Sequence, residues 1–145
     1  RINNPGSAIV CGAEASATWE PRDDIRMRGG YSFLHEDFDD TSGVVEGNAP
    51  RHQAFVQSLV SFGQGWSVGA TLRYVDRLDN VDADGYVDAD FSVGWTPMEN
   101  IELQLTGRNL FTDGRREFGT ENETFPTILA TEMERSVFAT LRVTF

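Results

Sequence analysis

No lysine occurs in these 145 residues; all 12 basic positions are arginine, set against 23 acids for a formal charge of -11. Nucleic acids and anionic surfaces are bound through clustered cations, so nucleic acid is excluded as a partner. Cysteine is nearly absent too. A single thiol, Cys11, rules out an internal disulfide framework and is expected to be a small buried apolar residue. Long hydrophobic runs are missing: no stretch approaches the ~18 uninterrupted apolar residues of a membrane helix, and mean hydropathy is only -0.36. The chain opens on Arg1 with no signal peptide, which reads as a processed or excised piece. It also lacks a nucleophile-base pair, a phosphate loop and a cysteine-histidine cluster, so neither catalysis nor a cofactor is expected.

What the sequence does contain is alternation. Apolar or small residues recur with period two at Ile9 to Trp19, Ile25 to Phe33, Ala54 to Phe62, Trp66 to Tyr74, Val87 to Trp95, Ile101 to Phe111 and Val137 to Phe145. Because strand side chains point alternately to opposite faces, these sets form one face that is nearly free of charge. The interleaved positions, among them Glu14, Arg28, Gln57, Arg73, Asp90, Glu102, Arg108 and Arg142, form a polar face. In the terminal strand Phe138 alone breaks the rule. No helical stripe is found, and the fold class expected is all-β, an antiparallel up-and-down sheet of about seven strands.

The connections alternate in length. Residues 20–24, 63–65 and 96–100 are tight turns rich in Gly, Pro, Asn and Asp, whereas 35–50, 76–85 and 112–134 are long and acidic. Short turns therefore gather at one end of the sheet and long loops at the other. Trp19, Phe62, Trp66, Trp95 and Phe145 fall at the short-turn end; Phe33, Tyr74 and Phe111 fall at the long-loop end. Two aromatic girdles flanking an aliphatic band, on strands approaching the ~9–11 residues that cross hydrocarbon at a tilt, describe the wall of a transmembrane β-barrel. The competing reading is a small self-contained barrel or sandwich that turns its apolar faces inward to bind an apolar ligand or a surface. Such a fold has no use for rings at both ends or for loops sorted by length.

The run Gly107-Arg-Asn-Leu-Phe111, followed by a long loop and a terminal strand ending Arg142-Val-Thr-Phe145, resembles the last two strands of a TonB-dependent outer-membrane receptor. Gly30-Tyr-Ser-Phe33, Pro50-Arg-His52, Leu72-Arg-Tyr-Val75 and Val93-Gly-Trp-Thr-Pro97 before Asn100-Ile-Glu-Leu103 extend that resemblance over nearly all 145 residues. It implies a larger barrel in the outer membrane of a Gram-negative bacterium, filled by a plug domain. Such a barrel takes up iron-siderophore complexes, cobalamin or similarly scarce ligands with energy delivered through TonB. Plug, TonB box and earlier strands are absent here, so the chain is expected to be the C-terminal part of such a barrel, a fragment or truncated product. An open seven-stranded sheet would leave two edges unpaired in lipid.

The resemblance implies partners: outer-membrane lipid and lipopolysaccharide, the barrel-assembly machinery, and the plug domain and TonB in the full-length protein. It also assigns Leu141, Val143 and Phe145 to the outer-membrane assembly signal. On the lumenal face, Arg28, Arg73, Asp90, Glu102, Arg108 and Arg142 are expected to form ion pairs across strands. Asn80, Asp82, Asp84 and Gly85 match early positions of a calcium loop, but Phe91 replaces the closing bidentate Glu and no helices flank it, so no metal site is expected. His35 and His52 are read as ordinary loop residues. If Leu103 faces the bilayer midplane, Leu103→Arg should cost roughly 2–4 kcal/mol while Gln104→Arg is mild.

Overall fold

The computed structural model describes residues 7–38, 49–78, 84–112, 114–118 and 131–145. Nine strands follow in chain order: β1 (Ala8–Arg22), β2 (Ile25–Phe38), β3 (His52–Phe62), β4 (Trp66–Val75), β5 (Tyr86–Met98), β6 (Ile101–Arg108), β7 (Arg115–Phe118), β8 (Thr131–Met133) and β9 (Ser136–Val143). Seven of them form one antiparallel sheet ordered β1-β2-β3-β4-β5-β6-β9, and β7 pairs with β8 in a separate hairpin. No helix occurs among the described residues.

Every ladder of the large sheet joins residues of the same face. On one side Ala17 pairs with Gly29, Gly29 with Val56, Val56 with Leu72 and Leu72 with Ala89. On the other, Thr18, Arg28, Gln57, Thr71 and Asp90 follow one another in the same way. A slip of one residue in any ladder would exchange the two faces of a whole strand, so the alternation read strand by strand becomes one continuous apolar surface.

That surface has no cover. Among the described residues no hydrophobic side chain is buried, and Trp19 and Leu141 are 63% and 62% exposed. A sandwich buries its apolar faces against each other, and among the described residues no second sheet packs on the first. Cys11 follows the same rule. The expectation of a buried thiol fails because Cys11 lies on this face, opposite His35, where it is exposed.

The strands run past several expected ends. β2 continues through His35 to Phe38 and β3 opens on His52, so both histidines are strand residues rather than loop residues. β1 and β5 reach Arg22 and Met98 by taking in Pro21 and Pro97, and at each proline the register shifts, between Trp19 and Arg22 and between Trp95 and Met98. A bulge accommodates the missing N–H without abandoning the ladder. β6 is shorter than expected: it ends at Arg108 because Asn109 turns to a φ of 54°, so strand alternation does not carry Phe111 into the girdle. The β7–β8 hairpin was not legible, since strands of four and three residues are too short to display a period. Asn80 and Asp82 of the calcium-like run lie outside the described residues.

Turn chemistry fixes the β3–β4 corner. Gly63 and Gly65 both adopt left-handed backbone, with φ of 57° and 79°, and Gly65 accepts a bond from the Thr96 N–H at 2.8 Å. A Cβ on Gly65 would stand 2.3 Å from the Thr96 carbonyl oxygen, whereas one on Gly63 would meet nothing within 4 Å. Gly63→Ala is therefore expected to cost about 1–2 kcal/mol for its dihedral alone. Gly65→Ala should cost clearly more because β4 and β5 must also separate. Equilibrium unfolding of the protein carrying each variant checks the ranking, and equal losses would refute it.

Candidate functional site

The apolar face carries its aromatic rings at both ends. At the short-turn end the indoles of Trp66 and Trp95, directly opposite each other on β4 and β5, stack with centroids 5.4 Å apart and planes 15° apart. Stacking of this kind adds ~0.5–1.5 kcal/mol beyond burial. Phe62 pairs with Trp66, and Trp19 occupies the same end of β1. At the long-loop end the Tyr31 hydroxyl and His52 Nδ1 share a hydrogen bond of 2.7 Å, and the His52 ring lies 5.3 Å from that of Phe33. On the next strand Tyr74 donates to Asp76 Oδ1 at 3.3 Å. His52 is thus part of an aromatic cluster that sequence reasoning missed; its position two residues before Ala54, in phase with β3, was the available signal. On β9, Leu141 pairs with Leu103 and Val143 with Ile101 on the same face. Phe145 extends past the ladder, the chain being held just before it by the Thr144 N–H on the Asn100 carbonyl.

The polar face is cross-linked in two chemically different ways. Arg73 grips Asp90 through both guanidinium nitrogens, at 2.6 and 3.2 Å, and Arg142 donates to Glu102, its partner across the β6–β9 ladder, at 2.9 Å. Arg28 and Arg108, expected in similar ion pairs, instead place their guanidinium carbons over the rings of Phe55 and Phe138, at 5.7 and 5.2 Å from the centroids. Phe138, the one exception to the terminal strand's alternation, is explained by this contact: on the polar face it is the platform for Arg108.

At the long-loop end of that face, three strands meet the start of the loop after β6. Asp88 is completely buried. Its Oδ1 accepts from the backbone N–H of Ala89 at 2.7 Å and of Phe111 at 3.2 Å, and its Oδ2 accepts from the Thr112 hydroxyl at 2.5 Å. Asn109, a residue type that tolerates positive φ, is the hub beside it. Its N–H donates to Asp90 Oδ1 at 3.0 Å, its Oδ1 accepts from Arg73 at 3.2 Å, and its Nδ2 donates to the Glu134 carbonyl at 3.2 Å. Asn109 and Glu134 are the two feet of the loop, so one amide ties its departure to its return. Leu110 folds back with its N–H on the Ala89 carbonyl, its side chain occupying the space that a Cβ on Gly107 would need. Each residue of the Gly-Arg-Asn-Leu-Phe run therefore has a local physical task. Asp88 and Thr112 could be placed on the polar face and in the loop from sequence, but nothing marked them as partners, because their meeting depends on the turn at Asn109.

Removing a buried acceptor strands its donors, at ~1–3 kcal/mol for each unsatisfied group. Asp88→Ala should therefore free the segment after β6, making the stretch from 113 to 134 a preferred site of limited proteolysis while the sheet stays intact. Asp88→Asn, which keeps one carbonyl oxygen as acceptor, should be cut several-fold more slowly. Identical cleavage of both variants and the parent would show that Asp88 does not anchor the loop.

Comparison with known proteins agrees with this architecture. Among curated proteins, none matches this sequence. The crystal structure of the siderophore receptor PiuA from Acinetobacter baumannii has a similar fold, with a TM-score of 0.72 and 24% identity over 94% of this chain. The match covers 22% of that receptor, so the chain spans about a fifth of its length. The model of the TonB dependent receptor-like β-barrel matches residues 1–110. With one antiparallel sheet of seven strands among the described residues and a family model that matches residues 1–110, this chain belongs to the TonB-dependent receptor-like β-barrel family.

Proposed function

We propose that this chain forms the C-terminal strands of a larger TonB-dependent receptor barrel in the outer membrane of a Gram-negative bacterium. In this reading its apolar face meets lipid and lipopolysaccharide, and its polar face lines the lumen around the plug domain. The ligand class we assign is a scarce metal chelate such as an iron-siderophore complex, with cobalamin-like ligands as the alternative. Uptake is driven through TonB acting on parts of the receptor outside this chain, and no catalysis is involved.

One observation carries the reading. From Trp66 to Tyr74, and across the neighbouring strands between the two sets of rings, a single face holds no Asp, Glu, Lys or Arg, and among the described residues none of its hydrophobic side chains is buried. At ~3.4 Å per residue that span measures roughly 27 Å along the strand. The ~35–45° tilt of barrel strands reduces it to about 19–22 Å of height, close to the ~25 Å apolar band of outer-membrane barrels. The edges support the same conclusion: β1 and β9 are each paired on one side only among the described residues, as strands awaiting neighbours in a closed wall would be.

Leu103 pairs with Trp95, which sets it level with a girdle, so the midplane test moves to Ala70, halfway between Trp66 and Tyr74. Ala70→Arg in the complete receptor should lower folding free energy into bilayers by roughly 2–4 kcal/mol. Thr71→Arg, one residue away and opposite Asp90, should change it little. The reverse ranking would turn the wall inside out. Leu141, Val143 and Phe145 are the residues we assign to recognition by the barrel-assembly machinery. Because Phe145 is fully exposed, Phe145→Ala should sharply reduce the amount of receptor reaching the outer membrane while leaving the unfolding of the assembled barrel unchanged. Parallel losses of both would make Phe145 a stability residue instead.

A further inference from the structure

The charge of this chain is not spread evenly along it. The three long segments, 35–50, 76–85 and 112–134, carry 15 of the 23 acids and only 3 of the 12 arginines. All other residues together carry 8 acids and 9 arginines. The long segments therefore hold a net charge of -12 and the rest of the chain +1, so the whole excess of -11 is theirs.

Topology gathers these segments at one place. β2 ends and β3 begins at the same end of the sheet, where Phe33 pairs with His52. β4 and β5 meet there through Val75 and Tyr86, and β6 and β9 through Arg108 and Ser136. Six neighbouring strand ends thus deliver three acidic segments to one rim. Pairing does not cancel the excess. Arg22, Arg26, Arg73 and Arg142 are paired with acids of the short-turn end and of the wall. Asp37 and Asp84, at the long-loop end, are exposed and form no ion pair among the described residues.

A field of one sign acts on whatever approaches it without any acid serving as a ligand contact. Charges of one sign around an opening focus the potential there and raise the arrival rate of oppositely charged solutes by about 10- to 1,000-fold, while solutes of like charge are held off.

We propose that these segments make the outer entrance of the receptor selective by charge. The entrance draws in cationic ligands, admits neutral ones and repels polyanions, so the chelate taken up carries zero or positive net charge. The inference rests on the receptor-barrel reading above, which turns the long segments outward, and it narrows the ligand class assigned there. The summed charge carries the effect, and no single side chain is required for it.

The test places the complete receptor, with Cys11 and any cysteine outside this chain replaced by serine, in phosphatidylcholine vesicles, which carry no net charge of their own. Single thiols are introduced by Ala49→Cys, just before β3 at the long-loop end, and by Gln64→Cys, in the β3–β4 turn at the other. Each is reacted with two methanethiosulfonates of similar size, one bearing a trimethylammonium group and one a sulfonate. Relative to free cysteine, the cationic reagent should be favoured roughly tenfold in Ala49→Cys at low salt. That preference should vanish at about 1 M salt, where charges are screened beyond ~3 Å, and it should be several-fold smaller in Gln64→Cys. Adding Asp37→Asn, Asp39→Asn and Asp40→Asn together should lower the preference in Ala49→Cys severalfold and leave Gln64→Cys unchanged. Equal preferences at the two ends would overturn the proposal, as would a preference that this triple substitution does not move; the acids would then be a solvated coat only. Ala70→Cys, midway along the apolar face, tests the parent reading separately. If its thiol reacts with the charged reagents in vesicles, that face stands in water and the receptor-barrel reading itself fails. A silent Ala70→Cys together with no charge preference in Ala49→Cys removes only the selectivity.

Discussion

The pairing of like with like across six consecutive ladders is the constraint on which everything else depends. Each strand supplies a weak amphipathic pattern, but backbone hydrogen bonding locks the seven patterns in phase and turns them into two extended surfaces of opposite chemistry. Neither surface is closed off among the described residues. Because the apolar one is left without protein cover, the molecule makes physical sense only where something else is apolar, and its aromatic rings sit where such a medium would end.

Inside the polar surface, charge is handled by distance and by aromatic rings rather than by dense salt-bridging. Exposed ion pairs such as Arg142 with Glu102 contribute little on their own. Arg73 with Asp90 does more, because the same carboxylate also receives the Asn109 N–H. Stacking on Phe55 and Phe138 solves a different problem, holding a cation still without consuming its hydrogen-bonding edge.

The loop after β6 shows how a local backbone decision propagates. Asn109 leaves the strand with a left-handed turn, and this brings Phe111 and Thr112 back onto Asp88 in β5. A carboxylate that would otherwise lie open on the polar face becomes the only fully buried charged group among the described residues. The segment after β6 thus starts from a root bonded to Arg73 in β4, Asp90 in β5 and the Glu134 carbonyl before β9.

Much of this was legible in the residues alone. Period-two alternation identified all seven strands of the main sheet, their faces and the sorting of turns, because strand geometry is local and a half-buried or lipid-facing wall writes its period directly into the chain. The same reasoning put Arg73, Asp90, Glu102 and Arg142 on one face. It did not decide which arginines would meet acids and which would meet rings, since that depends on register between strands: Arg28 lies near Phe55 only because β2 and β3 pair as they do. Nor could it find Asp88's partners, the cluster at His52, the exposure of Cys11 or the short hairpin, all of which arise from chain reversals and from the absence of a covering layer. Sequence by itself determined the amphipathic sheet, because alternation is a property of single strands; tertiary structure decided every side-chain partnership, because those exist only after separate strands have been aligned.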